Sequence, residues 1–209
     1  MIITEITEVS KARCRVVIDQ EIAFVLYKGD LRIYHLKQDS EITEKIYQIL
    51  LKEVLPKRAK LRCMNLLKSR DYTEAELMRK LQTGGYPKEV AQEAVDYVRS
   101  YGYVGNENYA RKYIETYGEV RSYRRLEQEL IRKGVPKDIV ETVYRETMGE
   151  ADDPEPEQIR RLLIKKGYSE QTTTREEKMK LFAFLARKGY SVEKIRKCMG
   201  NFELYEEQL

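Results

Sequence analysis

The side chains in this sequence that are best suited to chemistry are cations, and they occur in short clusters along the chain. Guanidinium and ammonium groups attract phosphates and carboxylates, so a row of such clusters favours binding to nucleic acid or to an acidic protein groove. The candidate residues for binding a partner or DNA are Arg58, Arg62, Arg70, Arg121, Arg124, Arg125, Arg132, Lys133, Arg160, Arg161, Arg187 and Lys188.

The distribution of charge along the chain matters more than its sum, because the net charge is only +4. Segment 57–70 holds basic residues and no acidic ones, and segment 158–197 is also rich in bases. In the alternative interpretation, these bases cover solvated helix faces and form local ion pairs with the Glu residues between them. That alternative is favoured for any single cluster, whereas both interpretations remain open for these two segments.

Residues that could form a catalytic or metal-binding site do not cluster in the sequence. His35 is the single histidine, and Cys14, Cys63 and Cys198 lie far apart without metal-binding spacing. We therefore predict no catalytic residue, no cofactor and no metal, and we expect buried, reduced thiols in a cytoplasmic protein. The acidic stretch "EADDPEPE" (150–157) contains Pro and no base, so it is predicted to link two helical segments rather than to hold a catalytic metal.

Tyr residues are abundant between positions 72 and 117. They could stack on bases. The favoured interpretation is that they are amphipathic core and interface residues that join one helical segment to the next.

Three Gly residues, Gly85, Gly134 and Gly189, divide the later part of the chain into similar helical segments. Leu lies four and eight residues before each Gly, which is the spacing of the buried stripe of a helix. A Gly directly after a helix provides the positive φ that a residue with a Cβ adopts only at a cost. An apolar residue follows each Gly, and Pro or Ser then begins the next helix.

These patterns predict a mainly α protein, with tandem three-helix repeats in an elongated curved array and a small N-terminal β-rich extension. The repeats are predicted at 57–104, 105–149 and 150–209. Residues 1–56 are predicted to form a hairpin, to which residues 2–6 could add a third strand, and then a helix that ends at Pro56.

Three quoted segments together resemble the RecX family. "YTEAELMRKLQTGGYPKEVAQEAVDYVRSYGYVGNENYARKYI" (72–114) has a similar acid–Leu helix, Gly-Tyr turn, Val-rich helix and Tyr-Ala pair. "RRLEQELIRKGVPKDIVETV" (124–143) is similar to the segment that follows in the family, and "RCRVVIDQEIAFVL" (13–26) looks like the β-rich extension of many members. The resemblance covers nearly the whole chain.

The resemblance implies a regulatory protein, not an enzyme, that acts in DNA repair, recombination and the SOS response. RecX proteins bind along the groove of the RecA–single-stranded-DNA filament and mostly inhibit its ATP hydrolysis and strand exchange. We therefore expect the RecA filament as partner, weak binding to single- or double-stranded DNA, no membrane association, and a cytoplasmic monomer.

Two other functions remain as alternatives. The first is a DNA-binding module of tandem helices that acts without RecA, which would bind naked DNA with a steep loss of affinity on adding salt. The second is an enzyme, for which the sequence supplies no activated nucleophile and no metal cage.

Overall fold

The structure, a computed structural model, describes residues 1–149 and 153–200, and these are mostly helical. The chain forms two compact units, one from Met1 to Gly105 and a second from Asn106 onward. The predicted mainly α fold with a small β extension is confirmed. The division into three repeats at 57–104, 105–149 and 150–209 stays a prediction.

The N-terminal extension is a three-stranded antiparallel sheet in the order β1-β2-β3. Its strands are β1 (Ile3–Ser10), β2 (Arg13–Ile18) and β3 (Ile22–Tyr27). Cys14, Val16 and Ile18 are buried on one face of β2, as predicted from the alternation of side chains along a strand. Val17 is buried as well, so the other face of β2 is partly covered. Helix α1 (Lys28–Ile33) follows directly.

An unbroken helical segment follows the sheet and α1. It comprises α2 (Glu44–Ile49), a π-helical turn (Leu50–Val54) and α3 (Leu55–Leu67). The prediction that Pro56 ends a helix is therefore wrong. A proline ring crowds the carbonyl four residues earlier and offers no N–H. The wider π-helical turn lies where that clash would occur, and Pro56 occupies the first turn of α3, where a missing N–H is tolerated.

The core of the first unit lies between α3, α4 (Glu74–Thr83), α5 (Lys88–Ser100) and the sheet. Leu77 and Leu81 are fully buried there, as their spacing predicts. The Val25 N–H donates to the carbonyl of Gly85 at 3.0 Å, which joins β3 to the turn between α4 and α5. A Cβ on Gly85 would lie 2.1 Å from Val25 Cγ2, so this approach requires glycine.

The second unit contains six helices within the described residues, and they bury two apolar clusters. The helices are α6 (Asn106–Tyr117), α7 (Tyr123–Arg132), α8 (Lys137–Met148), α9 (Glu155–Lys165), α10 (Arg175–Arg187) and α11 (Val192–Met199). Ile114, Leu130 and Val140 belong to the first cluster, and Ile159 and Leu185 belong to the second.

The three predicted Gly turns share one geometry. Gly85, Gly134 and Gly189 have φ of 86°, 89° and 95°. In each turn the Gly N–H donates to the carbonyl three residues back, and the next N–H donates to the carbonyl five residues back. This pair of hydrogen bonds defines the Schellman C-cap, so the predicted helix ends are confirmed. Gly102 and Gly167 make the same two bonds, although neither follows the paired-Leu pattern.

The acidic stretch at 150–157 was predicted to be a link, but its C-terminal end belongs to a helix. Glu155 is the first residue of α9, and only 4% of its surface is exposed. The local sequence misleads here because a carboxylate at the first turn of a helix can be held by donors from other helices. Glu150, Ala151 and Asp152 lie outside the described residues.

The described residues meet neither the requirements of a membrane-spanning helix nor those of a metal site. Among the described residues, no helix is long and apolar enough to cross a bilayer. In the same part of the chain, no group of His, Cys, Asp and Glu side chains is placed to hold a metal ion. Cys14 and Cys63 are buried free thiols, and Cys198 is partly buried.

Candidate functional site

Five of the predicted cations line one groove in the second unit. The groove lies between α7 and the C-terminal end of α10 and encloses about 330 Å³. Its cations are Arg124, Arg125, Arg132, Arg187 and Lys188, and we call it the α7–α10 groove. These residues come from two segments that lie far apart in the sequence, so the clustering is a product of the fold.

Ser122 and Gly189 bring the two sides of the groove together. The buried Ser122 hydroxyl caps α7 by accepting from the Arg125 N–H at 3.4 Å, and it donates to the Lys188 carbonyl at 2.7 Å. A Cβ on Gly189 would lie 2.6 Å from Ser122 Oγ. The start of α7 therefore rests on the turn after α10, and this contact sets the distance between the two groups of cations.

Glu129 is the acidic residue that lines the groove, and its carboxylate forms ion pairs with cations of the protein itself. Its carboxylate accepts from Arg125 Nε at 3.1 Å, from the Tyr113 hydroxyl at 2.7 Å, and from Arg121. Burial raises the pKa of Glu129, but these hydrogen bonds and the charge of Arg121 outweigh burial, so the pKa lies below its ordinary value. Glu129 is thus held ionised and offsets part of the positive charge of Arg125.

Arg121 does not line the groove, but it contacts Glu129 and two tyrosines of α6. Its guanidinium lies 3.9 Å from the centre of the Tyr117 ring and also donates to Tyr113. Tyr113 lies 4.7 Å from Tyr117, so the pair forms an aromatic support for the cation. These contacts favour the interpretation of the tyrosines as packing residues here.

The groove cations differ in how freely they can bind a ligand. Arg124 and Arg187 are exposed, and neither has an ion-pair or hydrogen-bond partner for its side chain among the described residues. Arg132 donates to the Gln128 carbonyl at 3.3 Å, and Lys188 lies 5.2 Å from the centre of the Phe184 ring. Contacts of this kind leave most donor capacity unused, so the groove can bind an anion such as a phosphate chain.

Three predicted residues belong to the first unit. Arg58 pairs with the buried Asp30 carboxylate at 3.1 Å and lies 4.7 Å from the centre of the Tyr27 ring, so it joins α3 to α1. Arg70 lies 4.3 Å from the centre of the Tyr72 ring, and a hydrogen bond from Arg70 lowers the pKa of Tyr72. Arg62 is exposed on α3.

The remaining three predicted residues lie in the second unit but do not line the groove. Lys133 Nζ lies 5.5 Å from the centre of the Tyr109 ring. Arg160 and Arg161 both pair with Glu157, at 3.7 and 3.3 Å. Arg160 and Arg161 therefore fit the alternative in which the basic residues form local ion pairs with nearby Glu residues.

A polar joint beside the start of α7 was not predicted from the sequence. The Glu155 carboxylate accepts from the Tyr123 N–H at 2.8 Å and from Lys194 Nζ at 2.6 Å, and Lys194 also pairs with Asp153 at 2.7 Å. Burial lowers the pKa of Lys194, but the bonds to Asp153 and Glu155 outweigh burial and raise it. The sequence carried one indication of this joint: Lys194 lies five residues after its Gly, where the other two Gly turns have Val90 and Ile139.

Gln158 completes this joint. Its amide donates to the Gly118 carbonyl at 2.7 Å and its oxygen accepts from the Tyr190 hydroxyl at 3.0 Å. The start of α7 is therefore fixed on two sides, by Ser122 at the groove and by Glu155 at the joint, while Gln158 connects α9 to Gly118 before α7 and to Tyr190 after α10.

Comparison with known proteins places this fold and these helices in one family. Family models described as the first and the third three-helix domain of RecX match residues 59–97 and 153–199. A regulatory protein RecX from Caldanaerobacter subterraneus subsp. tengcongensis is 32% identical over 96% of this chain and 99% of its own length. The chain belongs to the RecX family. A RecX from Trichlorobacter lovleyi is 35% identical over 68% of this chain and 93% of its own length.

Solved RecX structures share the fold. A crystal structure of a regulatory protein RecX matches with a TM-score of 0.63 and 20% identity, covering 94% of this chain and 97% of that one. RecX from Lactobacillus salivarius matches with a TM-score of 0.55 and 17% identity, covering 70% of this chain and 95% of that one. The resemblance found in the sequence is confirmed over nearly the whole chain.

Proposed function

We propose that this RecX-family protein is a non-enzymatic regulator that binds the RecA filament on single-stranded DNA and restrains its ATP hydrolysis and strand exchange. It would act in the cytoplasm as a monomer, in DNA repair, recombination and the SOS response. The relatives named above are called regulatory proteins, which supports the regulatory role. The α7–α10 groove is the observation that carries the proposal for this chain.

The groove suits a ligand that carries regularly spaced negative charge. Its cations come from two helices, and the single acid on its wall is already neutralised by Arg121 and Arg125. Arg124 and Arg187 can therefore approach two phosphates, or a phosphate and a protein carboxylate, at the same time. Several weak contacts of this kind favour a filament over a free subunit, because only the filament satisfies them together.

The direct test measures DNA-dependent ATP hydrolysis by RecA with less than one molecule of this protein per RecA. We expect the wild type to slow hydrolysis and the Arg124→Glu/Arg187→Glu variant to lose most of that effect. Lys180→Glu/Arg196→Glu is the matched control, because it reverses two exposed cations of the same unit outside the groove. An unchanged hydrolysis rate and filament lifetime with equimolar wild-type protein would contradict the proposal.

The same groove supports a second candidate, a DNA-binding module that acts without RecA. It predicts tight binding to a naked oligonucleotide, with an affinity that falls steeply as salt is added. Binding to the oligonucleotide that disappears at moderate salt, while binding to the RecA filament persists, would exclude this candidate.

A further inference from the structure

Helix α3 has a second apolar face that is not part of the core. Leu55, Ala59 and Cys63 are buried on the inner side of α3. Leu61 and Met64 are 49% and 36% exposed. Together these two side chains leave a small apolar patch in solvent on the outer side of α3.

The exposed residues form a straight row along the helix. Successive residues of an α-helix are turned by about 100°, so Lys57, Leu61, Met64 and Lys68 fall within about 60° of one another. They extend over about 16 Å, and they lie opposite the buried face. We call these four residues the α3 outer stripe. It has two apolar side chains at its centre and one lysine at each end.

Two other cations of α3, unlike those of the stripe, form ion pairs. Arg58 pairs with Asp30 at 3.1 Å and Lys60 pairs with Glu93 at 2.6 Å, so both are held against the body of the unit. Lys57 and Lys68 are exposed, and within residues 1–149 and 153–200 neither has an ion-pair partner. The stripe thus combines an apolar centre with two unneutralised positive ends.

We propose that the α3 outer stripe docks an acidic amphipathic helix of a protein partner. An apolar centre with a charged rim is the usual composition of a protein–protein contact, and the sign of the rim selects a partner with carboxylates. A complementary helix carries an acid, two apolar residues and a second acid at successive spacings of four, three and four. This inference does not depend on the α7–α10 groove or on the proposed function.

Two other occupants fit the stripe less well. Single-stranded nucleic acid binds through base stacking as well as charge, and the stripe has no aromatic side chain. A second copy of the chain would place lysines opposite lysines in an antiparallel arrangement of two stripes, and like charges at a contact weaken it.

The test is an NMR titration of the ¹⁵N-labelled full chain with a designed helical peptide of about fifteen residues. The peptide is alanine-rich and has the Glu, Leu, Leu, Glu spacing given above. The control peptide has the same composition, with its Leu residues on opposite faces. We expect saturable shifts centred on residues 57–68 with the first peptide and at least tenfold weaker binding of the control peptide.

Variants assign the binding to the stripe. Leu61→Ser/Met64→Ser should weaken peptide binding at least tenfold, whereas Ile164→Ser, which changes a residue that is 76% exposed in the other unit, should leave it unchanged. Unchanged amide spectra away from the substitutions show that each variant is folded.

Three results would overturn the proposal. The first is equal binding of both peptides. The second is a stronger response of residues 57–68 to an oligonucleotide than to the first peptide. The third is concentration-dependent dimerisation that is abolished by Leu61→Ser/Met64→Ser, because the occupant would then be a second copy.

Discussion

Substitution of Gly189 by Ala tests the contact on which the α7–α10 groove depends. Two costs combine at this position. At φ 95°, a residue with a Cβ lowers the free energy of unfolding by about 1 kcal/mol relative to glycine. The new methyl group would also lie 2.6 Å from Ser122 Oγ, so Ser122 must move.

The displacement of Ser122 has its own cost. It breaks the hydrogen bond to the Lys188 carbonyl, worth about 1 kcal/mol, and the cap of α7, worth about 1 kcal/mol. We therefore expect Gly189→Ala to lower the free energy of unfolding by about 3 kcal/mol. Gly167→Ala is the matched control, since Gly167 has φ 72° in the same kind of turn and no atom lies within 4 Å of its added Cβ. It should cost about 1 kcal/mol.

Urea unfolding followed by circular dichroism measures both variants, and a difference of about 2 kcal/mol separates their midpoints by about 1 M. A double-mutant cycle with Ser122→Ala identifies the cause, because both single variants lose the same two Ser122 hydrogen bonds and the double variant loses them only once, so the two substitutions should be less than additive by about 2 kcal/mol. Equal losses for Gly189→Ala and Gly167→Ala, or strict additivity with Ser122→Ala, would refute the steric account.

The charged residues around α7, in the groove and at the polar joint, allow three more tests. Because the pKa of Glu129 is lowered in the folded state, its stabilisation is complete above the ordinary carboxyl pKa of 4.5 and is lost as the pH falls through the lower folded value; Glu129→Gln should flatten the acid limb of a stability–pH curve, and an unchanged limb would contradict this. Arg124→Gln should reduce the salt slope of single-stranded oligonucleotide binding by about 0.7, measured by fluorescence anisotropy, while Arg196→Gln outside the groove should leave it unchanged. Glu155→Gln removes one of the two carboxylates that pair with the partly exposed Lys194, so it should lower the free energy of unfolding by about 1.5 kcal/mol in urea titrations, and a loss below about 0.5 kcal/mol would show that Asp153 suffices.

The fold was predictable to the extent that it depends on local patterns. The Schellman turns at Gly85, Gly134 and Gly189 need only a helix, a positive φ and an apolar residue after it, and all of these are adjacent in sequence. Alternation along β2 likewise depends on near neighbours. The rule that proline ends a helix is also local, but it failed at Pro56 because the preceding turn widened to π-helical geometry.

The site was less predictable, because a cluster of cations in the sequence does not reveal where the acids lie in space. Arg58 appeared to belong to an acid-free basic segment, yet its partner Asp30 is 28 residues away in the chain. Glu155 appeared to belong to a solvated link, yet it is buried and accepts from Tyr123 and Lys194. Each error arose because ion pairing is decided by distance in the folded chain and not by spacing in the sequence.

The sequence by itself determined the Gly-capped helix ends, the hairpin and the RecX family, because those depend on residues a few positions apart and on the order of segments. Only the tertiary structure decided which cations are available to a ligand. Arg124 and Arg187 face one groove because Gly189, which lacks a Cβ, lets the end of α10 rest against Ser122 at the start of α7. That close contact joins residues more than 60 positions apart, so no local pattern could encode it.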